Sequence, residues 1–339
     1  MTKYSKLLIL NLILILFFWA CSKSPQRNTL DGMVQGSYYH IIYYATPTQN
    51  QSVSQDLQNL FNQIDQSVSL WNKESLINQV NQNKDVELDS IFIDCFVKSQ
   101  EISELTEGYL DCTIGALVEK YGFAAKEREE ITQEQIDSLL QYVGYNNIKI
   151  ENSRIKKKFA QTKIDFNAIA QGYTSDKIAQ YFFQKGITNF IIDIAGEVRA
   201  NGTKDNGKLW TCAIEQPSDS SNQERSYNTY LELKDQSIVT SGSYRKYYID
   251  EKGNKKSHTI DPFTGRSVTH NLLSVSVVDK SATLCDGLAT AFMVMGLEKS
   301  KTFLQHHPHI QAHFIYWDKN QYQTYTTPNL KHRINYIRE

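Results

Sequence analysis

The chain has 339 residues, 40% hydrophobic and 22% charged, enough to bury a sizeable core in one large domain or two intermediate ones. With 36 basic and 37 acidic side chains the net charge is −1. No basic field exists to hold nucleic acid, so nucleic-acid binding is set aside as a function class.

At the N-terminus, Lys3 and Lys6 precede an apolar run from Leu7 to Ala20, broken only by Asn11 and ending at Cys21. A short basic region followed by a short apolar stretch is the layout of a secretory signal. The run is shorter than the roughly 20 residues that span a bilayer. Ala20 directly before Cys21 also fits a lipoprotein signal over residues 1–21, with Cys21 lipidated as the mature N-terminus. Phe18 and Trp19 are bulky for such a site, and an uncleaved anchor with an incidental cysteine is the competing reading. Both put the rest of the chain outside the cytoplasm. Residues 22–30 read as a tether, and 31–339 as one domain without an internal linker.

A first strand is expected over 33–44, rich in Tyr and Ile. Apolar residues at helical spacing predict helices over 54–68 and 90–105. Thr132 and Gln135 form a capping-box start for a third helix ending near Gly144. Strands are expected at 148–151, 159–166 and 189–194, around a helix over 168–185. Further strands follow at 210–215, 227–233, 237–240, 244–250 and 272–278. A helix pair at 282–295 and 298–306 precedes a last strand at 311–317. Helices and strands mix without strict alternation, which predicts an α+β fold rather than a doubly wound sheet. Cys95, Cys112, Cys212 and Cys285 form no CxxC pair, so neither a zinc motif nor a required disulfide is expected.

No GxGxxG, Walker loop, GxSxG or HExxH occurs, which removes the commonest nucleotide and hydrolase signatures. Four other segments place small and polar residues where core is expected. Residues 164–173, IDFNAIAQGY, pass from strand to helix. Gly172 and the two alanines either let backbone approach a phosphate at a helix start or make a tightly packed turn. Residues 193–198, DIAGEV, put acids around a glycine turn. In the third segment, TSGSYR at 240–245 is followed by HTIDPFTG at 258–265. His258 and Asp261 suit proton transfer; equally, Asp261 can bond its own backbone in a Pro–Gly turn. In the fourth, TLCDGLATA at 283–291, Asp286 and Thr290 share a helix face one turn apart. They are either a hard oxygen pair for Mg²⁺ or a helix-start Asp bonding backbone N–H groups.

Taken in order, these segments resemble the ApbE family of FAD:protein FMN transferases over nearly the whole mature chain. The likeness includes Met33 through Ser37, SLWNKES at 69–75 with Asn78 and Asn81, and GYLDCTIG at 108–115. It implies an FMN transferase catalytic domain over 31–339, of mixed α/β type, with FAD as substrate in an elongated cleft and a Mg²⁺ ion beside its pyrophosphate. The metal ligands implied are the Ala170 carbonyl, the Asp286 carboxylate and the Thr290 hydroxyl. The FAD contacts implied are Met33, Trp71, Tyr109, Leu110, Asp111, Asn167, Tyr173 and Ile260, with His258 and Asp261 catalytic. Three positions depart from the family's pattern: Gln171 stands where lysine is common, Ala195 replaces a glycine, and Cys112 takes a position often held by proline. The resemblance implies transfer of FMN to a Thr or Ser hydroxyl of an acceptor protein, with release of AMP. Implied acceptors are flavin-bearing subunits of respiratory complexes, such as sodium-pumping quinone reductases. A lipid-anchored enzyme on the periplasmic side of the inner membrane suits them. The rival readings are a Mg²⁺-dependent FAD pyrophosphatase, a non-catalytic flavin-binding lipoprotein, and a transition-metal site at His306, His307, His309 and His313.

Overall fold

A computed structural model describes residues 24–122, 131–217, 226–243, 247–249 and 255–336. The expected signal with Cys21, and most of the strand expected at 244–250, lie outside the described residues. An antiparallel hairpin comes first: β1 (Gln26–Val34) pairs with β2 (Ser37–Ala45) from Gln26↔Ala45 to Val34↔Ser37. The strand expected over 33–44 is thus two strands, turned at Gln35 and Gly36. The tether expected over 22–30 also needs correction, because Gln26 to Leu30 already belong to β1. An edge strand needs only backbone pairing on one side, so a polar stretch can serve, and Leu30 adds apolar contact beneath it.

The helices follow their apolar spacing. After α1 (Pro47–Asn50), α2 (Val53–Val68) buries Val53, Leu57, Phe61, Ile64 and Val68. Next come α3 (Leu76–Asn81) and α4 (Ser90–Leu105), the latter capped by the Asp89 side chain on the Phe92 N–H. Beyond α5 (Gly115–Tyr121), α6 (Gln133–Leu140) starts on the expected Thr132–Gln135 capping box. The hairpin of β3 (Ile148–Glu151) and β4 (Arg154–Lys157) follows. No strand forms over 159–166. The chain turns at Phe159–Thr162, Lys163 makes one isolated bridge to Ile114, and Ile164 and Phe166 go into the core as a connector. That connector leads into α7 (Ala170–Gln184).

Thereafter come β5 (Phe190–Ile194), β6 (Glu197–Asn201), β7 (Trp210–Gln216), β8 (Ser226–Leu233) and β9 (Gln236–Gly242). The short pair β10 (Tyr247–Ile249) and β11 (Lys255–Ser257) precedes β12 (Leu272–Asp279). The expected helix pair forms: the helical stretch α8 (Ala282–His306) is two helices meeting at Gly296, where φ is 73° and ψ 175°. The chain ends through β13 (Gln311–Asp318), β14 (Gln321–Thr326), α9 (Pro328–Lys331) and β15 (Ile334–Tyr336).

Eight strands form one sheet in the order β1-β2-β5-β6-β9-β12-β13-β14, every pairing antiparallel. This is the expected α+β class. One face carries the main core. Val275 and Val277 of β12 and Phe314 of β13 pack there with Cys285, Leu288, Ala289 and Phe292 of α8. Val278, Ile238 and Ile315 point to the other face, under the small sheet β15-β8-β7. α8 is apolar nearly all round because it lies between the sheet and the other helices. Among the described residues no helix is long and apolar enough to cross a membrane.

Candidate active site

Two helix starts meet behind the central strands, and glycine decides how closely. A Cβ on Gly172, in the first turn of α7, would lie 2.4 Å from the Ala282 carbonyl oxygen and 2.9 Å from the Asp286 Cβ. Only a residue without a side chain permits that approach. With it, the Gly172 N–H donates to Asp286 Oδ2 at 3.0 Å. A second device fixes the register of α8. Asp176, one turn further along α7, accepts from Ser281 Oγ (2.8 Å), Ala282 N (3.0 Å), Thr283 N (3.0 Å) and Thr283 Oγ1 (2.7 Å). The same carboxylate pairs with Arg199 Nη1 at 2.6 Å. One side chain thus satisfies the free N–H groups of a neighbouring helix's first turn.

Asp286 is buried, and burial pushes its carboxyl well above the usual carboxylate range. The Glu197 carboxylate pushes it further, the Gly172 N–H opposes, and Asp176 adds to the rise. A cation at this point would reverse the balance and keep the carboxylate ionised. Thr290, one turn along α8 and half-buried, has its Oγ1 3.4 Å from Ser241 Oγ of β9. The Ala170 carbonyl lies two residues before Gly172 and accepts from Thr174 Oγ1 at 2.9 Å and Gln35 Nε2 at 3.3 Å. Asp286 thus lies against the start of α7, with Ala170 two residues before Gly172 and Thr290 one turn further along α8. Carboxylate, hydroxyl and carbonyl oxygens are a hard donor set that suits Mg²⁺, with water and phosphate completing the octahedron. Among the described residues no group of three or more His, Cys, Asp or Glu is arranged around a metal. Of the late histidines, His307 stacks on Phe303 with the His309 ring 6.1 Å away, His306 bonds Thr302 O, and His313 is buried in β13.

The expected flavin contacts divide by exposure. Met33 and Trp71 are 70% and 69% exposed, unusual for large apolar side chains, and Asn167 is also exposed. Tyr109 is half-buried, its ring 4.9 Å from that of Phe263. Leu110 and Ile260 are buried and line core instead. The Tyr173 ring is fully enclosed in the main core. Asp111 is taken up by its own chain: Oδ1 accepts from Thr113 N and Oγ1, and Oδ2 from Tyr145 N at 2.8 Å.

His258 is half-buried and enters a tight loop. In that loop Asp261 Oδ1 accepts from Phe263 N at 2.8 Å, and the Asp261 carbonyl accepts from Gly265 N at 2.8 Å. Asp261 thus makes the expected turn bond to its own backbone. The loop packs on α5, where the Tyr121 hydroxyl donates to Gly265 O at 3.0 Å, and its Phe263 brings it to Tyr109.

Sequence reasoning missed Lys299 and Asp176, and gave no role to Glu197 or Gln35 within the segments it singled out. Lys299 Nζ sits 5.2 Å from the centre of the Tyr109 ring, and the Tyr109 hydroxyl, with a smaller effect of Asp261, raises its ammonium above the usual value. In the sequence it is one lysine among the solvated charges of a helix. It follows the break at Gly296 by three residues.

A family model described as the ApbE family matches residues 35–314. The FAD:protein FMN transferase of Vibrio cholerae serotype O1 is 32% identical over 292 residues, covering 84% of this chain and 86% of its own length. That of Haemophilus influenzae is 30% identical over 294 residues, covering 83% and 84%. Among solved structures, the flavin transferase ApbE from Vibrio cholerae superposes with a TM-score of 0.80 at 29% identity, covering 91% of this chain and 99% of that one. The apo form of the Pseudomonas stutzeri flavinyl transferase ApbE gives 0.82 at 26% identity, covering 92% and 98%.

Proposed function

The chain belongs to the ApbE family, and on that premise we propose that it is an FAD:protein FMN transferase. It moves FMN from FAD to a Thr or Ser hydroxyl of an acceptor protein and releases AMP. The observation that carries the site assignment is Asp286, a buried carboxylate beside Glu197, held by the Gly172 N–H one turn from Thr290. Such a group calls for a cation. Asp286, Thr290 and the Ala170 carbonyl would hold Mg²⁺, which supplies Lewis-acid stabilisation of the phosphate charge when bound.

The protein's own part is positioning and proton handling. Met33, Trp71, Tyr109 and Asn167 offer surface to the dinucleotide, while Leu110, Asp111, Ile260 and Tyr173 shape the wall from behind. As the acceptor oxygen bonds to the FMN-side phosphorus, the phosphorus–oxygen bond to AMP breaks. The hydroxyl proton passes to Asp261 or His258. With glutamine rather than lysine at position 171, more of the phosphate charge is left for the cation.

Acceptors of the respiratory-complex class, such as a sodium-pumping quinone reductase subunit, fit an enzyme lipidated at Cys21 on the periplasmic side of the inner membrane. Only residues 22–25 separate Cys21 from β1. Fully extended they reach about 15 Å, which keeps the domain close to the bilayer. Cys21→Ser should move the protein out of the membrane fraction; unchanged membrane recovery speaks for an uncleaved anchor.

The decisive experiment mixes the protein with FAD, Mg²⁺ and a candidate acceptor, and reads the acceptor by mass spectrometry. An added FMN mass is expected. Rapid release of FMN and AMP without acceptor would make the enzyme a pyrophosphatase, and a yellow protein that never consumes FAD would make it a flavin carrier.

A further inference from the structure

The β1–β2 hairpin turns on two residues, Gln35 at φ 51° and Gly36 at φ 73°, with Val34 paired to Ser37. Positive φ at both positions is the turn that favours Asn-Gly or Gly-Gly. Glutamine at the first position is therefore held in a left-handed conformation that Asn or Gly adopts with less strain. Its side chain supplies a reason. Gln35 Nε2 crosses to α7, donating to Thr174 Oγ1 at 2.9 Å and to the Ala170 carbonyl at 3.3 Å. The amide orientation follows from chemistry, since a carbonyl oxygen can only accept. Gln35 Oε1 is left buried without a partner.

A carbonyl oxygen has two lone pairs, and side-chain donors already address this one from both Thr174 and Gln35. A cation taking the Ala170 oxygen must displace one of them. Thr174 belongs to the helix and holds the shorter contact, 2.9 Å. Gln35 holds the longer and comes from a hairpin turn at the sheet edge.

We propose that Gln35 is a positioning residue: its amide latches the β1–β2 hairpin to the Ala170 carbonyl and is displaced when a divalent cation binds there. The proposal rests on the metal site assigned above. It links occupancy of that site to the hairpin that carries Met33, and the linkage is reciprocal: whatever frees the hairpin favours the cation.

Gln35→Asn and Gln35→Gly both suit the turn and are both too short to reach α7, so folding is preserved while the latch is lost. Magnesium titrated calorimetrically into the purified full-length protein should bind about two- to tenfold more tightly to either variant than to wild type, as expected for removing one competing hydrogen bond. Hydrogen–deuterium exchange gives the second readout. Magnesium should speed exchange at residues 34–37 in wild type and leave it unchanged in Gln35→Asn. Equal or weaker binding by the variants, or wild-type exchange indifferent to magnesium, overturns the latch. Asp286→Ala separates the two levels. If it binds magnesium as wild type does, the metal assignment fails and the latch with it; if it loses binding while the Gln35 variants match wild type, only the latch falls.

Discussion

Gly172 and Asp286 meet with no side chain between them: the glycine N–H reaches the carboxylate at 3.0 Å, and a methyl group there would stand 2.9 Å from the Asp286 Cβ. The Ala282 carbonyl, at 2.4 Å, is backbone and cannot turn aside. Gly172→Ala must therefore part α7 from α8. Overpacking of this kind costs about 1–3 kcal/mol, and it moves the Asp286 carboxylate away from the start of α7. We expect a lower Tm together with loss of flavinylation. A variant with unchanged Tm and full activity would show that the two helices do not need this approach.

Asp286→Asn tests the charge without removing the acceptor for the Gly172 N–H. Burial and Glu197 raise the carboxyl from its ordinary 3.8, so without metal the folded state binds more protons than the unfolded chain. The stability contributed is complete below the ordinary value and is lost as pH rises through the raised one. The Asn variant lacks that slope, so at neutral pH without metal it should be at least as stable as wild type. Mg²⁺ at a hundredfold its Kd stabilises a binding protein by about 2.7 kcal/mol. A magnesium-dependent rise in Tm is expected for wild type only, and a rise in the variant as well would remove Asp286 from the ligand set.

These two residues also mark how far the sequence could be read. Asp286 and Thr290 were legible because helical spacing alone puts them on one face. Gly172 was legible as a site of close approach, though the approaching backbone is Ala282 rather than a ligand. Asp176 was not, because its partners on α8 lie more than a hundred residues away and nothing in a helix sequence marks a side chain that caps another helix. Gln35 lies in the segment 33–37 that the sequence singled out, but its partners Ala170 and Thr174 are more than a hundred residues away and could not be read from it. Tyr173 and Asp111 carried the family pattern, but whether a patterned residue touches a ligand or the core depends on rotamer and packing. At the level of elements, the 2 and 3.6 periodicities gave α2, α4, α7 and most of the long strands. They failed over 159–166, where apolar residues fill a connector, and at β4, whose lysines conceal a solvent-facing hairpin.

A buried histidine should make the fold sensitive to acid. His313 lies within β13, its Nδ1 2.8 Å from Thr326 Oγ1, and desolvation lowers its pKa from 6.5 to about 4. The unfolded chain binds the proton first, so this contribution is intact above pH 6.5 and is lost as pH falls toward about 4. Its full size is about 3 kcal/mol, from roughly 1.4 kcal/mol per pH unit. His270 shifts in the same direction, also by desolvation. Urea unfolding at pH 7.5, 5.5 and 4.5 should show stability falling with acid in wild type and falling less in His313→Gln. Identical slopes would mean that His313 is solvated in the folded state.

Asp261 raises the sharpest separable question, because its carboxylate serves a turn and is also one of the two bases the proposed transfer calls on. Oδ1 accepts from Phe263 N, and the loop it closes packs on Tyr121 and Tyr109 through Gly265 and Phe263. Asp261→Asn keeps an oxygen for the Phe263 N–H and removes the basicity. If the carboxylate accepts the acceptor hydroxyl's proton, turnover should fall about 10²- to 10⁴-fold, the usual worth of a general base, with Tm unchanged. Asp261→Ala should lose both. If Asp261→Asn keeps wild-type turnover, the carboxylate is a turn residue and the base is His258, whose replacement by Ala should then give the larger loss. Measuring kcat and KM for FAD in all three variants decides between them, since a base lost from the transition state lowers kcat and kcat/KM together.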